Sequence, residues 1–184
     1  MKSAKSAAAH LVVGTVAFGR YADQVMRGVN YFRWAEYAFS SSLMIVVIAM
    51  LVGIYDIAAL ILVVGANAAM ILFGWMMELH NERTERTDWT AFVFGSIVGA
   101  LPWVAVAIYL WSPGESSNPP AFVYGIFVSL FLFFNVFAVN MVLQYRRIGP
   151  WRDYLFGERV YILLSLVAKS ALAWQVFAGT LRPN

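Results

Sequence analysis

Cysteine is absent from the 184 residues, which excludes disulfides, thiolate metal sites and cysteine nucleophiles. Charge is scarce: charged residues make up 12% of the chain and hydrophobic residues 61%, against roughly 25% and 45–50% in a soluble domain. That imbalance indicates an integral membrane protein, and the length suits one domain rather than two. No Asn-X-Ser/Thr sequon occurs. The net charge of +3 lies in the connectors, so a nucleic-acid surface is not indicated. Histidine occurs only at positions 10 and 80. Glu78, His80 and Glu82 have no second ligand cluster beside them, so a solvated helix end, and no metal, is expected there. Nothing in the sequence suggests an enzyme that turns over a diffusible substrate.

What the chain does have is long apolar runs. A helix needs about 20 apolar residues to cross the bilayer core. Five runs meet that length, roughly 29–53, 57–77, 89–111, 121–145 and 159–181. A sixth, roughly 4–22, contains a shorter apolar stretch that ends at Arg20. The runs do not alternate in hydropathy, which excludes a transmembrane β-barrel. An all-α membrane protein, one helical bundle with a single membrane domain over residues 1–184, is expected. Lys2 and Lys5 before the first run mimic a signal peptide, but no clear cleavage pattern follows.

The connectors divide by charge. Arg20, Arg27 and Arg33, then Arg83 and Arg86, then Arg146, Arg147, Arg152 and Arg159 fall in alternate connectors, and the intervening ones hold no basic residue. The positive-inside rule places the basic set in the cytoplasm and the C-terminus outside. Six spans would then leave the N-terminus outside as well, so a further span preceding residue 1 is expected; the alternative is a six-helix protein with a short translocated tail.

Within this apolar frame Lys169 stands out. It is the only charge between Tyr161 and Leu181, and a charge at the bilayer centre costs roughly 2.5–3.5 kcal/mol on insertion scales. A desolvated amine is suited to holding an aldehyde as a Schiff base. Lys169 lies ten residues beyond Arg159, about 15 Å of helix rise, near the midplane. Its expected counterion is Glu36, which lies at a matching depth if its helix begins near Arg27. The alternative is that Arg33, one turn earlier, neutralises Glu36. Ser165 shares a helix face with Lys169 and offers a hydroxyl where a light-driven proton pump would carry a second carboxylate. His10 is either a proton relay or a packing residue. Phe131, Phe133, Phe134, Phe137 and Trp174 give flat surfaces for a polyene or for helix packing. Asn67, Asn135 and Asn140 either join helices or line a polar cavity.

The sequence motifs resemble one family. Residues 161–181, with Lys169 at their centre, are similar to the last helix of heliorhodopsins. So is Phe133-Phe-Asn-Val-Phe-Ala-Val-Asn-Met141 together with the stretch Trp151–Phe156. Arg33-Trp-Ala-Glu-Tyr-Ala-Phe-Ser-Ser-Ser-Leu-Met-Ile45 resembles that family's third helix, and Asn67-Ala-Ala-Met-Ile-Leu-Phe-Gly74 its fourth. The resemblance runs from about His10 onward. It implies a retinal photoreceptor with a rhodopsin-like helical bundle, of whose seven transmembrane helices six are present here, and with a cytoplasmic N-terminus and an external C-terminus. It also implies all-trans retinal on Lys169, isomerising to 13-cis, with Glu36 as counterion and Ser165 beside the pair. Asn67, Met70, Ile71, Phe134 and Trp174 would line the retinal pocket. His10, Ser6, Tyr21 and Asn30 would belong to a cytoplasmic-side polar cavity. A slow photocycle without pumping, a homodimer and a cytoplasmic signalling partner are further implications. Nothing in the sequence corresponds to the family's first helix, which leaves the cavity short of one histidine. Light-gated or light-driven ion transport is the alternative function, and a scaffold that no longer binds retinal is a third.

Overall fold

The computed structural model describes Thr15 and residues 18–111 and 119–181. Among the described residues there are six α-helices: α1 (Phe18–Met26), α2 (Tyr31–Leu51), α3 (Ile57–Asn81), α4 (Thr90–Trp111), α5 (Ala121–Tyr145) and α6 (Tyr154–Thr180), with a 3-10 turn at Gly149–Arg152 before α6. Five of them, α2 to α6, are long and apolar enough to cross a membrane. The fold is a rhodopsin-like all-helical bundle, and the protein is a multi-pass membrane protein.

Three helix boundaries differ from the sequence expectation. The second span was expected over roughly 29–53, and the depth assigned to Glu36 assumed a helix start near Arg27. Instead Gly28, at φ 77°, ends α1, and α2 starts at Tyr31 with the Asn30 side chain accepting from the Arg33 N–H at 3.1 Å. The helix of the third span runs on to Asn81, with Glu78 buried in its last turns. The last helix starts at Tyr154 rather than near 159, where the Asp153 carboxylate accepts from the Leu155 N–H at 3.0 Å. Each cap satisfies helix-end groups that would otherwise lack partners.

The chain divides into two compact units. The first comprises Met1–Val46 and Ile57–Pro102. Within it α2 and α3 run antiparallel, as their contacts descend in register from the Arg33–Glu78 ion pair to the hydrogen bonds of Asn67 with Ser41 and Ser42. Gly74 permits the approach midway: a Cβ there would lie 2.5 Å from the Trp34 ring. α4 packs on α3 where Phe73 meets Phe94 edge-on at 6.3 Å. Outward-facing Ile61, Leu62, Val93 and Ile97 are each at least half exposed, as lipid-facing residues are.

The second unit comprises Val47–Asp56 and Trp103–Asn184. Within it α5 and α6 are antiparallel neighbours, joined by Phe137–Tyr161 ring contact at 6.1 Å and by Ser129–Gln175 hydrogen bonding at 3.0 Å. Trp103, 6% exposed, lies edge-on to Phe127, Phe131 and Phe134 at 5.2–5.7 Å. These T-shaped contacts suit the quadrupoles of the rings.

Candidate functional site

Lys169 lies on α6, sixteen residues into the helix that begins at Tyr154, about 22 Å along its axis. It is half-buried, as is Ser165 one turn earlier, and Ala168 and Leu172 beside them are buried. These four follow the i, i+3, i+4, i+7 spacing of a single face. The face of α6 that turns inward therefore carries both the amine and the hydroxyl. Lys169 is also the only lysine among the described residues. Any covalent link to a carbonyl through a lysine of this region thus falls on one atom, the Lys169 Nζ.

The aromatic wall lies in the same unit. Phe134 is half-buried with its ring centroid 5.2 Å from that of Trp103. Trp174, in contrast, is 69% exposed and meets Phe177 edge-on at 5.9 Å. Five residues from Lys169, it sits about 140° round the helix, so the two do not share a face. Phe131 is 40% exposed, and Asn135 turns its amide onto the Phe131 carbonyl of its own helix at 2.8 Å. Lys169 and these rings fit a long conjugated aldehyde by their chemistry: one amine to bind it, and flat apolar surfaces in the same unit.

Glu36 is half-buried on α2, in the first unit. With α2 starting at Tyr31, it is the sixth residue of its helix rather than the ninth. Asn67 is 2% exposed and donates to Ser41 at 2.8 Å and Ser42 at 3.1 Å. Met70 packs its thioether where Gly99 leaves room, and Ile71 beside it is half-buried. Tyr21 is half-buried, its ring 6.4 Å from Phe32. His10 and Ser6 lie outside the described residues.

The polar centre of the first unit was not foreseen. Glu78, expected in a solvated cluster, is 4% exposed. It accepts from Arg33 Nη2 at 2.6 Å, from the Trp34 indole N–H and from the Asn30 backbone N–H. The Arg33 guanidinium also stacks over the Trp34 ring at 4.6 Å. Arg33, which one reading assigned to Glu36, pairs with Glu78. Two signals in the sequence pointed this way. Glu78 stands eleven residues, three turns, beyond Asn67, which puts both on one face of α3. Asn30 stands three before Arg33, the spacing of an N-cap. Near this centre the Trp75 indole N–H is buried with no partner among the described residues.

Asn140 was also read only in general terms. It is 2% exposed, donates to the Gly157 carbonyl at 3.2 Å and accepts from the Trp151 indole N–H at 2.7 Å. It therefore fastens the turn between α5 and α6 to both helices. In the connector between α3 and α4, Asn81 accepts from the Asp88 N–H at 2.7 Å and donates to its carbonyl at 3.0 Å. Hydrogen bonds from the Thr90 hydroxyl and backbone N–H hold the Asp88 carboxyl below the usual carboxylate range, and His80 at 3.4 Å adds to the effect. Among the described residues no group of three or more His, Cys, Asp or Glu could hold a metal.

The sequence model of one protein family, described as Heliorhodopsin, matches residues 4–181. No curated protein matches the chain.

Proposed function

Because the chain belongs to the heliorhodopsin family, whose members are light-sensing retinal proteins of the microbial rhodopsin type, we propose that it is a photosensor in which retinal is bound covalently as a Schiff base on Lys169. One observation carries this reading: the only lysine among the described residues is half-buried in mid-helix, on the inward face of α6, with Ser165 one turn away. Retinal, when bound in its all-trans form, supplies visible absorption and a light-driven isomerisation to 13-cis. The residues of the chain supply the rest.

Lys169 fixes the chromophore at one point. By the family resemblance, Glu36 is the counterion that balances a positive charge on that nitrogen. Ser165 offers a hydrogen bond to the same nitrogen. The same resemblance assigns retinal contacts to Asn67, Met70, Ile71 and Phe134. For Trp174, on the exposed face of α6, the resemblance alone supports the assignment. The resemblance assigns Ser6, His10, Tyr21 and Asn30 to a polar cavity that accepts the proton on the side of the basic connectors. Those connectors face the cytoplasm of a cell-membrane protein, the C-terminus lies outside, and the protein works as a homodimer that signals to a cytoplasmic partner.

Sensing is favoured over transport by the hydroxyl of Ser165. A light-driven proton pump would carry a second carboxylate at this position, and α6 offers a neutral group there. The test is flash photolysis of retinal-loaded protein alongside pH recording from illuminated vesicles. A slow photocycle with no sustained pH change is expected. A sustained light-driven pH change or photocurrent would overturn sensing in favour of ion transport.

A further inference from the structure

Three helices end in the same way. At the end of α1, Gly28 N–H bonds the Val25 carbonyl at 3.0 Å and Val29 N–H the Gln24 carbonyl at 3.1 Å. At the end of α2, Gly53 N–H bonds Met50 at 3.1 Å and Ile54 N–H bonds Ala49 at 3.0 Å. At the end of α5, Arg147 N–H bonds Gln144 at 3.1 Å and Ile148 N–H bonds Leu143 at 3.1 Å. This paired pattern requires a residue in the left-handed region, for which glycine is the ordinary choice. Gly28 at φ 77° and Gly53 at φ 96° follow that rule. The third position is held by Arg147, at φ 51°, the one non-glycine residue with positive φ among the described residues. A Cβ makes that conformation costly, and such residues persist only where the surrounding structure holds them, often at functional positions.

The surroundings show what the side chain serves. Arg146, Arg147, Arg152 and Arg159 are all exposed around this turn. Of the two carboxylates of the segment, Asp153 caps α6 and Glu158 is buried at 4% exposure. The turn is rigid, held by the Trp151–Asn140 hydrogen bond and by the Trp151 ring against Phe156 at 5.0 Å. Ile148, 48% exposed, and Leu155, 41% exposed, lie among the arginines. The turn joins two membrane-spanning helices, so it stands at the depth of lipid headgroups. Guanidinium groups take phosphate in paired hydrogen bonds, and apolar side chains beside them suit the boundary with the acyl chains.

We propose that the α5–α6 turn is a docking site for anionic phospholipid, with Arg147 kept in a left-handed cap so that its guanidinium reaches the lipid phosphate. Juxtaposed arginine and exposed isoleucine at bilayer depth favour lipid over an acidic protein. The inference does not depend on the chromophore.

The test uses the full chain in detergent, with bound lipid counted by native mass spectrometry after equilibration with phosphatidylglycerol or phosphatidylcholine. The informative variant is Arg147→Gly, since glycine suits the cap and folding is not at risk. Its thermal melt should be no lower than the parent's, and its retention of phosphatidylglycerol should fall about fivefold, the weight of one surface arginine. Arg152→Gln should lower retention in the same direction, with phosphatidylcholine retention unchanged in both variants. Equal phosphatidylglycerol retention by the parent and Arg147→Gly would overturn the proposal. So would an equal loss of both lipids. Unchanged lipid retention with arginine-dependent capture of an acidic protein would overturn it in favour of a protein partner.

Discussion

At the scale of single residues, the buried Arg33–Glu78 pair is the most demanding feature of the first unit. Burying two charges costs several kcal/mol each before they are paired, and removing one partner leaves the other exposed to that cost. Glu78→Ala should therefore destabilise the protein by about 3–5 kcal/mol, read as a lowered melting temperature or denaturant midpoint in detergent. A melt equal to the parent's would mean that the pair contributes nothing. A carboxylate near a run of charged residues is ordinarily solvated, and the sequence alone supports that reading for Glu78. Its burial depends on the register of α2 against α3, which brings Asn30, Arg33 and Trp34 to one carboxylate from 44 to 48 residues away in the chain. Lys169 was legible for the opposite reason. No neighbour in the sequence excuses a charge at that point, so its presence alone marks it.

At the scale of elements, the spanning helices were legible because long apolar runs leave few alternatives, whereas their ends were not. Asp153 and Asn30 set helix starts by single hydrogen bonds that an apolar pattern does not register. Close approach was equally hidden. Gly65 and Gly74 on α3 look alike in sequence, yet a Cβ meets nothing within 4 Å at Gly65 and overlaps the Trp34 ring at Gly74. Gly74→Leu should lower stability by about 1–3 kcal/mol through overpacking, while Gly65→Leu should leave the melt nearly unchanged. Equal effects would contradict the α2–α3 packing.

The Asp88 cap gives a pH signature. Its carboxyl is held below the ordinary range by the Thr90 hydrogen bonds, so the folded state favours the ionised form. That stabilisation is fully present above the ordinary carboxylate value and is lost as pH falls through the lower folded value. Between neutral and strongly acidic pH the parent's melt should fall by this component, and the melt of Asp88→Ala should lack that part of the pH dependence. Because the group lies at the surface, the effect should be small and should weaken further with salt.

At the scale of the whole molecule, composition and connector charge made the class and the membrane setting legible, and motif resemblance supplied the chromophore. The division into two units was not legible, because α2 and α4 each pass from one unit to the other without a break in apolar character. Nor was the internal brace at Asn140, Trp151 and Gly157, which joins residues 17 positions apart through one side chain. The central claim is that Lys169 binds retinal as a light sensor's chromophore. Its most direct test is the visible absorption spectrum of purified protein after adding all-trans retinal, recorded beside Lys169→Ala. The account predicts a red-shifted visible band in the parent that is absent from the variant. The same band in both proteins, or none in a folded parent, would contradict it.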